Sequence, residues 1–408
     1  MADNKDKKVL NVPALRFPEF SGEWEKLRLS DFATKITKKN KGNIVKNVLC
    51  NSANLGLVPQ GNYFDREIAN TENTDGYYVI CNGDFVYNPR KSTAAPFGPV
   101  NIYEGEDAGI ISPLYLCFSV HNIFPKFLYY RFKSSAWHSY VYSHGDSGVR
   151  FDRVSIKDDV FFDMPIYKPA QDEQIKIATL LQLIDDRIST QNKIIEKYES
   201  LIQAICDTLI EQETQQVTLS FSDFGQSYSG LSGKSADDFG EGYPFITYMN
   251  VYQNQIIDLT DVGLVKINET EQQSVVRYGD ILLTLSSETP EEVGMGAVYL
   301  GETYPLYLNS FCFGIHITDE SKIYPPFLAY YVSSQSFRKA VYPLAQGSTR
   351  FNLQKSDFMK KKFSFPVIEK QHKIYSILKI YSDKLIVEKL IMRLLCNQKC
   401  YLLRQLFI

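Results

Sequence analysis

His138 and His144 come nearest to proton-transfer chemistry, and His144-Gly145-Asp146 places a carboxylate two residues from an imidazole. A general base needs a partner within hydrogen-bond reach to orient it. A similar segment 200 residues later has Arg338 and Leu344 at those places, so the pair reads as a local feature rather than a catalytic centre. Asp158, Asp159, Glu173 and Lys176 hold the residue types of a metal-dependent nuclease, but Glu173 and Lys176 are more simply the start of a helix. Gly294-Met295-Gly296 lacks the rest of a nucleotide-binding fingerprint, and no Gly-x-x-x-x-Gly-Lys-Ser/Thr loop occurs. Asn88-Pro89-Arg90 begins like the Asn/Asp-Pro-Pro-aromatic tetrad of amino-methyltransferases and departs at its third position. Cys396 and Cys400 are four apart with no further ligand at metal spacing, and read as buried thiols. The residue types point to binding.

The ligand they suit is a polyanion. Lys35, Lys38, Lys39, Lys41 and Lys46 fall in a polar stretch without an acid, and Arg90, Lys91, Arg131, Lys133, Arg150 and Arg350 add to them. Cations of this kind meet phosphates, whereas base identity needs amides, hydroxyls or guanidiniums that reach groove edges. By type and loop position the base-reading candidates are Asn51, Ser52, Asn54 and Gln60 in the first half, and Gln226, Tyr228, Ser229, Asn250 and Tyr252 in the second. The chain's net charge of −3 restricts any such surface to local patches.

These loops must be held by the elements around them. Ile177, Leu181, Ile184, Ile188, Gln191, Ile195, Tyr198, Ile202, Ile205 and Leu209 follow at alternating spacings of four and three, the seam of a coiled coil. An offset of 197 gives Ile374, Leu378, Tyr381, Leu385, Glu388, Met392, Leu395, Lys399, Leu402 and Leu406, with the polar interruption kept. Residues 171–215 carry a net charge of −5 and residues 368–408 a net charge of +5, which favours pairing the two helices with each other. Ile177, Leu181, Ile184 and Ile188 on the first helix and Leu378, Tyr381 and Leu385 on the second are the expected helix-pairing residues. Helices of this length are about 60 Å long.

The segments before the helices repeat as well. Leu27, Ser30, Asp31 and Phe32 recur as Leu219, Ser222, Asp223 and Phe224, Gly83-Asp84 as Gly279-Asp280, and Cys117-Phe118 as Cys312-Phe313. Pro125, Phe127, Leu128, Tyr130, Ser134, Arg150 and Phe151 recur as Pro325, Phe327, Leu328, Tyr330, Ser334, Arg350 and Phe351. Short apolar runs at 77–80, 84–87, 108–111 and 114–120 predict strands, and 125–142 predicts one aromatic helix. The expectation is an α+β fold of two strand-rich domains related by pseudo-twofold symmetry and separated by two long antiparallel coiled-coil helices. Its boundaries are a strap at 1–20, a first domain at 21–170, a central helix at 171–215, a second domain at 216–366 and a C-terminal helix at 367–408. The seven scattered cysteines, the charged amino terminus and the lack of a long apolar run predict a cytoplasmic protein outside the membrane.

The ordered set Val12-Pro13-Ala14-Leu15-Arg16-Phe17-Pro18 before Trp24, the two Gly-Asp turns, Gly347-Ser348-Thr349-Arg350-Phe351, and Pro169 with Glu173-Gln174-Ile175-Lys176-Ile177-Ala178 resembles the specificity (S) subunit of type I restriction-modification systems. Lys370-Gln371-His372 departs from the first helix entry locally. The resemblance implies two target-recognition domains, each reading one half of a bipartite asymmetric site in double-stranded DNA. It implies two methyltransferase (M) subunits docked along the helices, and restriction/translocase (R) subunits. The chain itself would have no catalytic residue and bind no metal or cofactor, with AdoMet, ATP and Mg²⁺ in the partner subunits. A specificity subunit of a methylation-only or phage-defence complex is the alternative within that reading. A nuclease or methyltransferase with an unrecognised site is the alternative outside it.

Overall fold

The computed structural model describes residues 10–62, 74–145, 152–302 and 304–408. They divide into two compact units, one of residues up to Gln191 with Ile391–Ile408, the other Asn192–Leu390. Each unit thus combines a strand-rich region with the first half of one long helix and the last half of the other.

In the first unit the strands are β1 (Glu25–Arg28), β2 (Ala33–Lys35), β3 (Leu49–Ser52), β4 (Gly56–Pro59), β5 (Tyr78–Ile80), β6 (Phe85–Tyr87), β7 (Val100–Ile102), β8 (Gly109–Ile111) and β9 (Leu116–Val120). Then come α1 (Pro125–Lys133), α2 (His138–His144), α3 (Asp158–Phe162), β10 (Pro165–Lys168) and the central helix α4 (Gln171–Glu211). The main sheet runs β2-β9-β6-β7, with the hairpin β3-β4, a separate antiparallel pair β5-β8 of strands distant in sequence, and the pair β1-β10 leading into α4. α1 and α2 are not the single helix expected. Ser134 leaves the helical region at ψ 172°, and its hydroxyl donates to Arg131 O at 2.7 Å, ending the first turn series before Trp137.

The second unit continues with β11 (Gln216–Ser220), β12 (Gly225–Ser229), β13 (Phe239–Ile246), α5 (Tyr248–Gln253), β14 (Val262–Val265), β15 (Ile281–Thr284), β16 (Ser286–Ser287), β17 (Gly296–Val298), β18 (Tyr307–Leu308) and β19 (Cys312–Ile317). It closes with α6 (Pro325–Tyr331), α7 (Gln335–Val341), β20 (Ala345–Gln346), β21 (Phe351–Leu353), α8 (Lys355–Lys360), β22 (Lys362–Pro366) and the C-terminal helix α9 (Ile368–Gln405). Its main sheet runs β12-β19-β15-β17 over a base pair β11-β22, the same order as in the first unit.

The repeat extends to single hydrogen bonds. Gly83 and Gly279 hold φ of 91° and 84°, open to glycine at little cost, and each N–H donates to a tyrosine carbonyl, Tyr103 and Tyr299, at 2.8 Å. Gln174 and Gln371 accept from the backbone N–H before the aromatic helix, Phe124 and Tyr324, at 2.8 Å. Their amides donate to Pro169 O and Pro366 O at 2.8 Å, locking each helix entry to the base of its unit. One recurrence read from the sequence shifts. Val86 faces Cys117 and Leu282 faces Gly314, so the counterpart of Cys117-Phe118 is Gly314-Ile315 rather than Cys312-Phe313. Matching Cys-Phe dipeptides two residues out of register disguised the offset.

Within each unit the long helices pack as an antiparallel pair. In the first, Ile177, Leu181 and Ile184 are buried with Leu402, Leu403, Leu406 and Phe407 around Phe127 and Trp24, and Ile188 packs at the edge. Lys399 bonds Asp185 at 2.5 Å. In the second, Ile374 and Leu378 are buried with Ile202, Cys206 and Ile210, while Tyr381 and Leu385 are partly buried. Lys389 bonds Glu199 at 2.7 Å and Lys370 bonds Glu213 at 3.0 Å, basic helix against acidic helix and its trailing turn. Cys396 and Cys400 are exposed, not buried, because they lie off the seam that carries Leu395 and Leu402.

Candidate nucleic-acid interface

In the first unit the chain leaves β2 through a loop clamped by one buried amide. Asn40 donates to Val45 O at 2.9 Å and accepts from Val45 N at 3.0 Å, and Gly42 N donates to Asp75 at 2.6 Å. With its backbone satisfied inward, the loop turns Lys38, Lys39, Lys41 and Lys46 out to solvent. Lys35 is exposed too but bonds Asp158 at 2.6 Å, and that carboxylate raises its pKa.

A second cationic element follows β6. Arg90 and Lys91 are exposed, and the backbone of Arg90 pairs with that of Arg153. Lys91 N donates to Asp152 O at 2.8 Å and Val154 N to Pro89 O at 2.8 Å. Arg153 therefore joins this element, a residue the sequence signalled only by its proximity to Arg150. Arg150 lies outside the described residues. Arg131 and Lys133 do not extend the surface. Arg131 is 2% exposed and donates to Pro165 O at 2.9 Å, and Lys133 turns inward to Asn101.

The amide candidates divide. Asn51 and Ser52 are each 6% exposed; Asn51 donates to Val86 O at 2.9 Å, and the Ser52 hydroxyl accepts from Leu55 N at 3.2 Å. They hold the β3-β4 hairpin, whose tip exposes Asn54 and Leu55. Gln60 is half-buried just beyond β4. In the second unit Asn250 is fully buried, donating to Asp258 O and Asp261 O at 2.7 and 2.6 Å. Tyr228 is buried under His316 and donates to Asp280 at 2.7 Å. Buried, satisfied polar groups of this kind shape loops and do not meet groove edges in this conformation.

Gln226 and Ser229 are exposed along β12, and Lys355 donates to the Ser229 hydroxyl at 3.1 Å. Tyr252 donates to Glu292 at 2.6 Å, which lowers the carboxylate's pKa, and Ser287 donates to the same group at 3.0 Å. Ser287 pairs with Phe351, which brings this cluster beside Arg350. Arg350 itself is exposed, 6.0 Å over the ring of Phe311. A cation on an exposed aromatic face suits a phosphate with an unstacked or edge-on base nearby.

Little here suits catalysis. His144 stacks on Tyr140 with its Nδ1 at 2.9 Å from Tyr140 O, and His138 is pressed between Phe97 and Trp137. Asp146 lies outside the described residues. Among the described residues no group of three or more His, Cys, Asp or Glu could hold a metal ion, and no helix is long and apolar enough to cross a membrane.

Two sheets of like strand order carry unlike cationic and amide loops. Residues 220–394 match the family of the type I restriction modification DNA specificity domain. A structure described as the basis of complex assembly and conformational transition of the type I R-M system aligns at a TM-score of 0.58, with 14% identity over 93% of this chain and 96% of that one. The S subunit of a type I restriction-modification system from M. genitalium aligns at 0.53, with 15% identity over 97% of this chain and 99% of that one. No curated relative matches in sequence. Residues 220–394 thus match the model of the type I restriction modification DNA specificity domain, and the chain shares the fold of these solved structures nearly end to end.

Proposed function

We propose that this chain is the non-catalytic reader of a type I restriction-modification complex, with each unit reading one half of a bipartite double-stranded DNA site. The observation that carries this reading is the contrast between the units. Their sheets, Gly-Asp turns and helix-entry glutamines repeat, while the loops that carry Lys38, Lys39, Arg90 and Asn54 in one, and Arg350, Gln226 and Tyr252 in the other, do not. A repeated scaffold with two different loop sets suits an asymmetric sequence.

The helices carry a matching outer face. Leu183 is 62% exposed beside Phe17 and Leu180 in the first unit, and Ile377 and Ile380, at an offset of 197 from Leu180 and Leu183, are exposed in the second. Two like apolar faces suit two copies of one partner, here a methyltransferase subunit, with a restriction/translocase subunit joining the assembly in turn. AdoMet, ATP and Mg²⁺ belong to those partners, and the cytoplasm is where such an assembly meets DNA. The domain boundaries at 21–170 and 216–366 are those of the two readers. Replacing residues 24–164 with the corresponding region of a related chain should change one half of the recognised sequence and leave the other half intact. A change in both halves would sink the reading.

A further inference from the structure

A chain of buried amides in the first unit has no equivalent among the described residues of the second. Lys133, the last residue of α1, donates to Asn101 Oδ1 at 2.6 Å. Asn101, 1% exposed on β7, donates through one amide nitrogen to Asn51 Oδ1 at 2.6 Å and Ser52 O at 2.9 Å. Asn51 donates onward to Val86 O, and its own carbonyl accepts from Asn88 at 3.4 Å. Asn88 Oδ1 then accepts from Arg90 N at 3.0 Å, and Ser52 Oγ receives the N–H groups of Asn54 and Leu55 at the hairpin tip. One connected set therefore suspends both the Asn54 tip and the Arg90-Lys91 turn from α1.

The sheet register identifies the counterparts. Asn101 faces Val86 as Ala297 faces Leu282, so the amide's place is taken by a methyl group in the second unit. The place of Lys133, at the offset of 200 that relates α1 to α6, is taken by Ser333. The fold therefore forms without the relay. Burying two asparagines and a lysine costs desolvation that Ala and Ser avoid, and a fully satisfied polar network returns that cost as a single defined geometry.

We propose that Lys133, Asn101 and Asn51 are positioning residues for sequence discrimination by the first unit: they touch no DNA and fix the spacing between the hairpin tip and the cationic turn. The inference rests on the reading of the chain as a DNA reader. A shift of about 1 Å between a base-reading tip and a phosphate-gripping turn would misplace one of them whenever the other is seated.

The test uses the full chain with a randomised duplex DNA library, and amide hydrogen exchange on the same protein without DNA. The variants are Asn101→Ala, Lys133→Met, Lys133→Arg, and the double variant N101A/K133S, which installs the second unit's residues and guards against simple misfolding. Wild type should enrich a two-part motif. In Asn101→Ala, Lys133→Met and the double variant, discrimination in one part should fall about tenfold, with the other part unchanged. Amides in 49–59 and 88–92 should exchange about tenfold faster while β6 and β9 keep their protection. Lys133→Arg, which keeps a donor, should restore both readouts. Unchanged exchange in the hairpin and turn would overturn the relay as a positioning device. Faster exchange with an intact motif would overturn its role in discrimination. A wild-type chain that enriches no motif would instead overturn the DNA-reading function, and the inference with it.

Discussion

Arg16 grips Glu173 through two parallel hydrogen bonds of 2.8 Å, Nε to Oε1 and Nη2 to Oε2, and Trp24 Nε1 adds a third to Oε1 at 3.3 Å. The pair ties the N-terminal strap to the first turn of α4, and Leu15 N donates to Gln405 O at 3.0 Å beside it. At an offset of 197 the same place in the second unit holds Glu213 and Lys370, with the charges exchanged. Glu173 is 1% exposed, against 13% for the Glu213 side chain. A buried carboxylate that loses its cation is stranded, whereas a wetter one is rehydrated. Arg16→Ala is therefore expected to lower the stability of the first unit by about 3 kcal/mol, and Lys370→Ala to lower that of the second by clearly less. Both tryptophans, Trp24 and Trp137, lie in the first unit, so their fluorescence in urea follows that unit alone, and hydrogen exchange follows the other.

Arg131 presents the opposite case, a buried cation with no carboxylate partner among the described residues. Its Nε and Nη1 have no hydrogen-bond partner among the described residues, and burial lowers its pKa to about 10. Tyr331 stands at the equivalent place and donates to Ser364 O at 2.8 Å. Arg131→Tyr should thus stabilise the first unit by about 1–2 kcal/mol, since removing an uncompensated charge returns its desolvation cost. A lower urea midpoint in this variant would show that the guanidinium has a partner outside the described chain.

Lys133 makes the first unit's stability pH-dependent. Burial, then the charge of Lys399 on α9, lowers its pKa to about 8, against the pull of Asp185 on α4, and the Tyr129 ring lies 5.1 Å from its ammonium. Between about pH 8 and the ordinary lysine value of 10.5 the unfolded chain binds more protons at this site than the folded one. Its contribution to stability therefore rises with pH across that window, and the penalty is complete below it. Lys133→Met should flatten the rise; an unchanged slope in urea titrations from pH 7.5 to 10.5 would assign it to another group.

The cationic loops make a prediction in salt. Lys39 and Arg350 are exposed without a carboxylate partner among the ion pairs of the described residues, whereas Lys35 already bonds Asp158. If the first two touch phosphate, replacing either with Ala should reduce the slope of log affinity against log salt by about 0.9. Lys35→Ala should change it less, and equal slopes for all three would place the phosphates elsewhere.

How far the sequence carried these conclusions depended on whether the signal was periodic. The seam from Ile177 to Leu209 and its copy located both long helices, because a three-four repeat has one structural solution at that length. The Gly-Asp turns were legible because a positive φ leaves a glycine behind. Asn51, Asn250 and Tyr228 were not legible as buried groups, since an amide or phenol in a loop looks alike whether it meets a backbone carbonyl or a base edge. The inward turn of Arg131 and Lys133 was hidden for the same reason: α1 offers them two faces, and only the packed β7 and β10 decide between them.

The polar interruptions at Gln191 and Glu388 give the last test, of the helices as a ruler. One heptad inserted after each preserves the seam's phase and adds about 10.5 Å of helix to both strands of the pair. Unit cores would be untouched, because the insertions fall within neither the first unit's set of Ile177 to Ile184 with Leu402 to Phe407 nor the second unit's set of Ile202 to Ile210 with Ile374 and Leu378. If the helices set the gap between half-sites, the matched protein should recognise the same two half-sites with a spacer longer by about three base pairs, at 3.4 Å each. An insertion after Gln191 alone leaves α9 one heptad short of its partner. On the same premise, the unmatched insertion should make assembly fail. A matched variant that assembles and keeps the original spacer would refute the ruler.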